Sequence, residues 1–338
     1  MGKYTKIKIL LFLLFLLSLQ AEISGYFQVS SYMSDFNKDL RILQIERLRL
    51  KFNTEILGLS AKVQVEQGAF SSPLFYQPYL TGSFLGEGNP VYLYKGEEER
   101  FYFYMDRASL SYESEKFSFT AGRDRFPWGK ARLFSVLDIF NPYEPFALSK
   151  EERQGVNGAR ARLYFSGFSW AEAVYVKRKA GNIYGGGIFF SVYSFDFQIC
   201  SGKYFGKKFY GGAFEGDIKG VGIRGEVVKF ERQRSEYTLG FDFQASPKLY
   251  IVGEILRSNG TLFPDIKLYA ISSSYEISPL LKFTLTGVYT IPESKILMLS
   301  FEYSIEENMD IGFSFLYSTK DSYWMIPRIF GTATKIYF

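Results

Sequence analysis

From Glu22 onward, apolar and polar residues alternate with a period of two, which sends successive side chains to opposite faces of a strand. Between Arg47 and Asn53, the residues Leu48, Leu50 and Phe52 share one face, while Arg47, Arg49 and Lys51 share the other. Leu59, Ala61, Val63 and Val65 alternate with Ser60, Lys62, Gln64 and Glu66. Ala159, Ala161, Leu163 and Phe165 alternate with Arg160, Arg162 and Tyr164, and Leu297, Leu299, Phe301 and Tyr303 with Met298, Ser300 and Glu302. One stretch, 168–177, resists a phase, because Glu172 stands among Trp170, Val174 and Val176. Tight turns are predicted near 53–58, 113–116, 166–167, 193–194, 217–220, 246–248, 277–280 and 305–308. The connections between them vary, and two are long, at 68–99 and 127–156. This rhythm predicts an all-β chain of about 18 antiparallel strands of about 9–11 residues, with 16 strands also compatible.

A set of strands this large, apolar along one face throughout, would need two or more separate cores as a soluble sandwich. A transmembrane up-and-down barrel resolves the pattern by inversion: lipid meets the apolar face and water the polar one. No composition break divides 22–338, so one barrel domain is expected. The preceding segment differs. Lys3, Lys6 and Lys8 precede an unbroken apolar run from Ile9 to Leu17, followed by Ser18, Gln20 and Ala21. The run is too short to cross a bilayer as a helix and has the layout of a secretory signal, so residues 1–21 are expected to be cleaved.

Composition narrows the chemistry. Aromatics reach 19%, with 35 Phe and 26 Tyr, which suits strands and a lipid–water boundary. There is no histidine, so neither a Ser-His-Asp or Cys-His site nor a His-ligated metal can form. The single cysteine, Cys200, excludes an internal disulfide framework and a cysteine metal cluster, and it is expected to be an inert wall residue. No cofactor is expected. The net charge is +5, but three of the cations lie in the segment expected to be removed. The remainder is nearly neutral and gives no case for nucleic acid.

The last strand runs Phe330-Gly-Thr-Ala-Thr-Lys-Ile-Tyr-Phe338, with Phe330, Ile336 and Phe338 in one phase. With the signal segment and the alternating strands, this resembles bacterial outer-membrane β-barrel proteins. The resemblance implies an outer-membrane location and lipid as solvent. It also implies that the barrel assembly machinery reads Ile336 and Phe338. Thr332 and Thr334 depart from the more apolar pattern usual in that strand. A local stretch, Gly122-Arg-Asp-Arg-Phe-Pro-Trp-Gly129 followed by Asp138-Ile-Phe-Asn141-Pro142, is similar to one in porin-like barrels related to alginate-export channels. That resemblance implies a channel for small hydrophilic solutes or ions, working by passive diffusion. The alternative is a non-conducting barrel for surface-polysaccharide handling, adhesion or envelope structure. A barrel enzyme is disfavoured, because outer-membrane phospholipases, deacylases, palmitoyl transferases and omptin-type proteases use histidine. Homo-oligomerisation stays open.

The presumed inner face carries an uneven charge. Arg47, Arg49, Lys51, Lys62, Arg107, Arg160 and Arg162 come early, and Glu215, Glu226, Asp242, Glu254, Glu302 and Asp310 come late, with Arg224 and Lys282 as exceptions. Neighbours in sequence are neighbours around a barrel, so a basic wall is expected to face an acidic one. The bland alternative is that these groups pair and fill the lumen. Trp128, Gly129, Asp138, Asn141 and Pro142 mark a loop that either folds inward as a constriction or caps the rim. Arg123 falls in the outward phase unless a bulge re-aims it. Phe75, Tyr76, Tyr79, Phe84, Tyr92 and Tyr94 could stack on sugars or simply pack their loop.

Overall fold

A computed structural model describes residues 22–34, 41–56, 58–71, 90–96, 99–141, 154–291, 294–319 and 328–338. The expected signal segment, Pro142, Phe75, Tyr76, Tyr79 and Phe84 lie outside the described residues. The strands are β1 (Glu22–Ser34), β2 (Arg41–Ile56), β3 (Leu59–Ser71), β4 (Val91–Lys95), β5 (Glu99–Glu113), β6 (Phe117–Asp124) and β7 (Val156–Ser166). They continue as β8 (Ser169–Arg178), β9 (Gly181–Val192), β10 (Phe195–Tyr204), β11 (Lys207–Ile218), β12 (Val221–Phe230) and β13 (Ser235–Ser246). The last are β14 (Leu249–Arg257), β15 (Lys267–Ser278), β16 (Leu281–Ile291), β17 (Ser294–Glu306), β18 (Met309–Ser318) and β19 (Ile329–Tyr337).

All except β4 form one closed antiparallel ring of 18 strands, each paired with its neighbours and β19 paired back to β1. Closure leaves no sheet edge, as a membrane requires of strands. β4 adds only to the long-loop end of β5. The connection expected over 68–99 is therefore shorter than the sequence suggested, since β3 runs on to Ser71 and β4 lies within it. Each expected tight turn joins two strands at one rim. Lys219 and Gly220, both at positive φ (53° and 84°), form the two-residue link that matches strand twist. At the same rim Gly25 exchanges both backbone hydrogen bonds with Phe338, N–H to O at 2.8 and 3.1 Å, sealing the seam.

The alternation sorts by face as expected. Phe119, Leu163, Ile199, Leu239, Ile271 and Phe313 point outward and are exposed. Among the described residues no helix is long and apolar enough to cross a membrane, which says nothing of a barrel. Two departures have local causes. In β5, opposite Gln64 and Val65 of β3, the register shifts and leaves Asp106 as an extra residue, so Asp106 and Arg107 both turn inward and are buried. In β8 Glu172 does not break a phase: Trp170, Glu172, Val174 and Val176 all face inward, with Glu172, Val174 and Val176 buried. The apolar residues there face neither lipid nor water, because a loop covers them.

Candidate functional site

The chain leaves β6 at Arg125 and returns at β7, and the described part of this loop lies inside the barrel. Asn141 draws its ends together: the Phe126 N–H donates to Asn141 Oδ1 (2.7 Å) and Asn141 Nδ2 to the Gln154 carbonyl (2.7 Å). Trp128 donates from Nε1 to Glu172 Oε1 (2.5 Å) and sets its ring edge against Phe140, centroids 4.8 Å apart. Val136, Leu137, Ile139 and Phe140 are fully buried in one cluster with Val176, Phe209, Val228, Phe230 and Leu256 of the wall. Each such side chain contributes about 1.5–3 kcal/mol on burial, which suits an apolar patch that docks and stays. The wall is cut back to receive them. A Cβ on Gly211 would lie 2.5 Å from Leu137 Cδ2, and one on Gly158 2.8 Å from Phe126 Cε2.

The polar side of the loop meets two wall carboxylates. Glu226 accepts from the backbone N–H groups of Lys130, Ala131, Val136 and Leu137 and from Ser135 Oγ. Glu254 accepts from those of Arg132, Leu133 and Phe134 at 2.5, 3.0 and 2.9 Å. Thr238 Oγ1 donates to the Phe134 carbonyl (2.7 Å). Gly129, at φ +90°, donates to Gln198 Oε1 (3.3 Å) and turns the chain onto the wall. A second connection, 258–266, lies over this arrangement: Phe263 meets Phe134 at 6.5 Å, and Glu236 accepts from Ser258 Oγ (2.9 Å) and the Thr261 N–H (3.1 Å).

The expected acidic wall is therefore not an open one. Glu226 and Glu254 are buried beneath the loop. Glu215 pairs with Lys130, and Asp242 is buried with Arg224 and the Tyr250 hydroxyl (2.5 Å). Of the six acids expected along the path, Glu302 alone is exposed, opposite Lys282. Asp310 accepts from Ser304 Oγ (2.7 Å). The physical reason is that a buried carboxylate needs donors, and an inserted loop brings backbone amides that a strand pattern cannot announce.

The basic residues do gather on β2, β3, β5 and β7, but with carboxylates among them. Arg49 pairs with Asp106 (2.5 Å) and lies 3.7 Å from Glu66, which is 3.9 Å from Arg47. Arg107 bonds Asp124 (3.0 Å) and lies 3.6 Å from Asp106. Arg160 (4.0 Å) and Arg162 both meet Glu172. Lys51 and Lys62 are partly exposed on the same face. Among the described residues, the pairs given run along the wall between near strands. Arg123 turns inward after all. Gly122, at φ +122°, re-aims it, and it donates to the Tyr104 hydroxyl (2.6 Å). Sequence reasoning missed Glu66, Asp106, Asp124, Glu172 and Gln198. The adjacent charges Asp106-Arg107 in a strand were the available signal for the first bulge.

Of the other expected residues, Asp138 is buried, with its N–H on Ser135 Oγ (3.1 Å). Cys200 is buried in the wall under the loop. Tyr92 and Tyr94 are exposed on β4, and Ile336 and Phe338 are exposed at the seam. Opposite the loop's seat, a cleft of about 420 Å³ runs along β16–β19 and β1, lined by Gln28, Thr284, Thr286, Ser300, Glu302 and Asp310 among others. Among the described residues no cluster of acids or cysteine is arranged to hold a metal.

No protein-family profile matches the chain, and no curated protein does. Solved structures do, at low identity. OccAB3 of Acinetobacter baumannii superposes with a TM-score of 0.62 at 11% identity, over 94% of this chain and 99% of that one. The outer membrane protein OpdK of Pseudomonas aeruginosa gives 0.62 at 8% identity, over 94% and 98%. Wzi of Escherichia coli, an outer-membrane protein involved in group 1 capsule assembly and a carbohydrate-binding β-barrel, gives 0.62 at 10% identity, over 96% and 86%. At these identities the likeness is one of fold.

Proposed function

We propose that this protein is an outer-membrane channel through which small hydrophilic solutes diffuse passively, narrowed by the loop after β6, with anions favoured. The observation that carries this reading is the asymmetry of the interior. A loop is packed onto one side of the wall, and a cleft is left along the other, where hydroxyls, Glu302, Asp310 and Lys335 stand among apolar side chains. A ring of this many strands is too wide for wall side chains alone to fill. The basic groups named on β2–β7 outnumber the carboxylates among them, so the potential along that wall is positive and enriches anions locally. The likeness to OccAB3 and OpdK, outer-membrane β-barrel porins, supports transport rather than catalysis. OpdK has also been solved with vanillate, an aromatic carboxylate.

Residues 1–21 serve as the export signal, and Ile336 and Phe338 present the closing strand to the barrel assembly machinery. The test is planar-bilayer recording of the refolded protein, intact and with Lys130 to Ser149 deleted. Discrete steps that grow on deletion support a channel constricted by this loop, whereas steps of unchanged size reject the constriction. The likeness to Wzi favours one other reading, a closed barrel that binds surface polysaccharide. Absence of any current from intact barrels would select it.

A further inference from the structure

We propose that Glu226 and Glu254 are the positioning residues of the constriction. Their charges hold residues 130–137 as a strap against the wall, and loss of either charge lifts the strap. The consequence for current rests on the channel reading above; the strap itself does not.

Both oxygens of each carboxylate are used. Glu226 Oε1 takes the Lys130 and Ala131 N–H groups, the latter at 2.6 Å, and Oε2 takes those of Val136 and Leu137 at 2.8 and 3.0 Å. Ser135 Oγ adds a bond at 2.9 Å to Oε2. Glu254 Oε1 takes Arg132, and Oε2 takes Leu133 and Phe134. The strap thus wraps Glu226 on both flanks and places its tip on Glu254. These carboxylates are 3% and 2% exposed, and among the described residues neither makes an ion pair. Converging backbone N–H groups satisfy their oxygens without a cation.

The dependence runs both ways. Of the strap's amides, Lys130 through Phe134, Val136 and Leu137 are all bonded to a carboxylate oxygen and to no other strap group. The nearby local backbone bond, Ile139 N–H to the Leu137 carbonyl (2.8 Å), lies at its end. The approach is also cleared on purpose: a Cβ on Gly129 would sit 2.5 Å from Glu226 Oε1, and one on Gly240 would sit 2.7 Å from Glu254 Cγ. Glutamine preserves size and one acceptor oxygen but aims an N–H₂ donor at amides that are themselves donors. It therefore breaks one flank of either clamp without removing wall volume.

Cys200, the one cysteine of the chain, reports the strap's position. It is 4% exposed, and the space over Gly211 is shared between Leu137 Cδ2 (2.5 Å from a Cβ built there) and Cys200 Sγ (3.2 Å). Refolded wild type, Glu226→Gln and Glu254→Gln would be treated with a small maleimide, after heat-modifiable gel mobility shows that each barrel has closed. Slow labelling of wild type and labelling about tenfold faster in each variant are expected, from the loss of charge-assisted bonds. Variant barrels labelled as slowly as wild type overturn the inference, whatever their current. Fast labelling in barrels that never conduct leaves it standing and defeats the channel reading instead. If neither glutamine variant closes, Ser135→Ala removes the strap's hydroxyl from Glu226 while leaving the wall untouched. Labelling accelerated severalfold then supports the clamp, and unchanged labelling overturns it.

Discussion

The two sides of the barrel interior obey the same strand geometry and opposite solvation rules. Along β8–β15 the inward positions include Val174, Val176, Ile183, Phe209, Val228, Phe230 and Leu256, all buried. Along β16–β18 they include Thr284, Thr286, Ser300, Glu302, Asp310 and Ser314, facing the cleft. Inward is therefore not synonymous with wet. On the covered side an apolar loop replaces water, so wall residues that would be liabilities in an open pore become its seat. The few carboxylates there serve as acceptors for loop amides instead of lining a path.

The largest test of that contrast is one substitution made on each side. Gly211→Leu puts a side chain where Leu137 already sits, since even its Cβ would be 2.5 Å from Leu137 Cδ2. The loop is expected to leave its seat and single-channel conductance to rise severalfold. Gly312→Leu, on the inner face of β18, meets only backbone oxygens at 3.8 and 4.0 Å. It has room to project into the cleft, so conductance is expected to fall. If both variants move conductance in the same direction, the covered and open sides are not distinct.

This contrast explains which parts of the molecule could be read from the sequence. Strand phase was legible wherever one face meets lipid, because alternation is local; Leu48, Leu50 and Phe52 against Arg47, Arg49 and Lys51 need only six residues to be seen. The tight-turn rim was legible for the same reason. The covered side was not. Trp170, Val174 and Val176 gave no readable phase around Glu172, because the sequence cannot show that Val174 and Val176 pack in one cluster with Val136, Leu137, Ile139 and Phe140 of the loop, with Trp170 against it. Glu226 and Glu254 read as pore lining because their partners are about ninety to one hundred and twenty positions away, as amides that carry no residue signature. Glu172, which spoiled the pattern of β8, was the one local sign of this seat, since an isolated acid in an apolar row must have a buried partner; here it has Trp128 and Arg162.

A smaller effect is expected from charge. Lys62 lies partly exposed on the basic wall, and Glu302 is exposed in the cleft. Lys62→Glu should move the reversal potential in a salt gradient toward cations, and Glu302→Lys should move it toward anions, each changing the permeability ratio roughly twofold. Reversal at Glu226 would instead unseat the loop, so it would change conductance first. Two wall charges that shift the potential without changing the step size, and a third that does the opposite, would separate lining groups from anchoring groups. Shifts absent from both Lys62→Glu and Glu302→Lys would place the conducting path away from these walls.

The smallest difference lies in single hydroxyls. Thr238 Oγ1 donates to the Phe134 carbonyl at 2.7 Å in a buried site under the loop, while Thr284 Oγ1 and Ser274 Oγ share a bond of 3.1 Å beside the cleft, partly buried. Valine at either position keeps the shape and removes the hydroxyl. At 238 no water can reach the orphaned carbonyl, so the full desolvation cost of about 1–3 kcal/mol falls on loop docking. At 284 water from the cleft replaces the lost partner, and a cost nearer to about 0.5 kcal/mol is expected. Maleimide labelling of Cys200 reads the first directly: Thr238→Val should label severalfold faster, and Thr284→Val at the wild-type rate. Equal rates in the two variants would mean that water already penetrates beneath the loop, and the dry side of the barrel would have to be redrawn as a wet one.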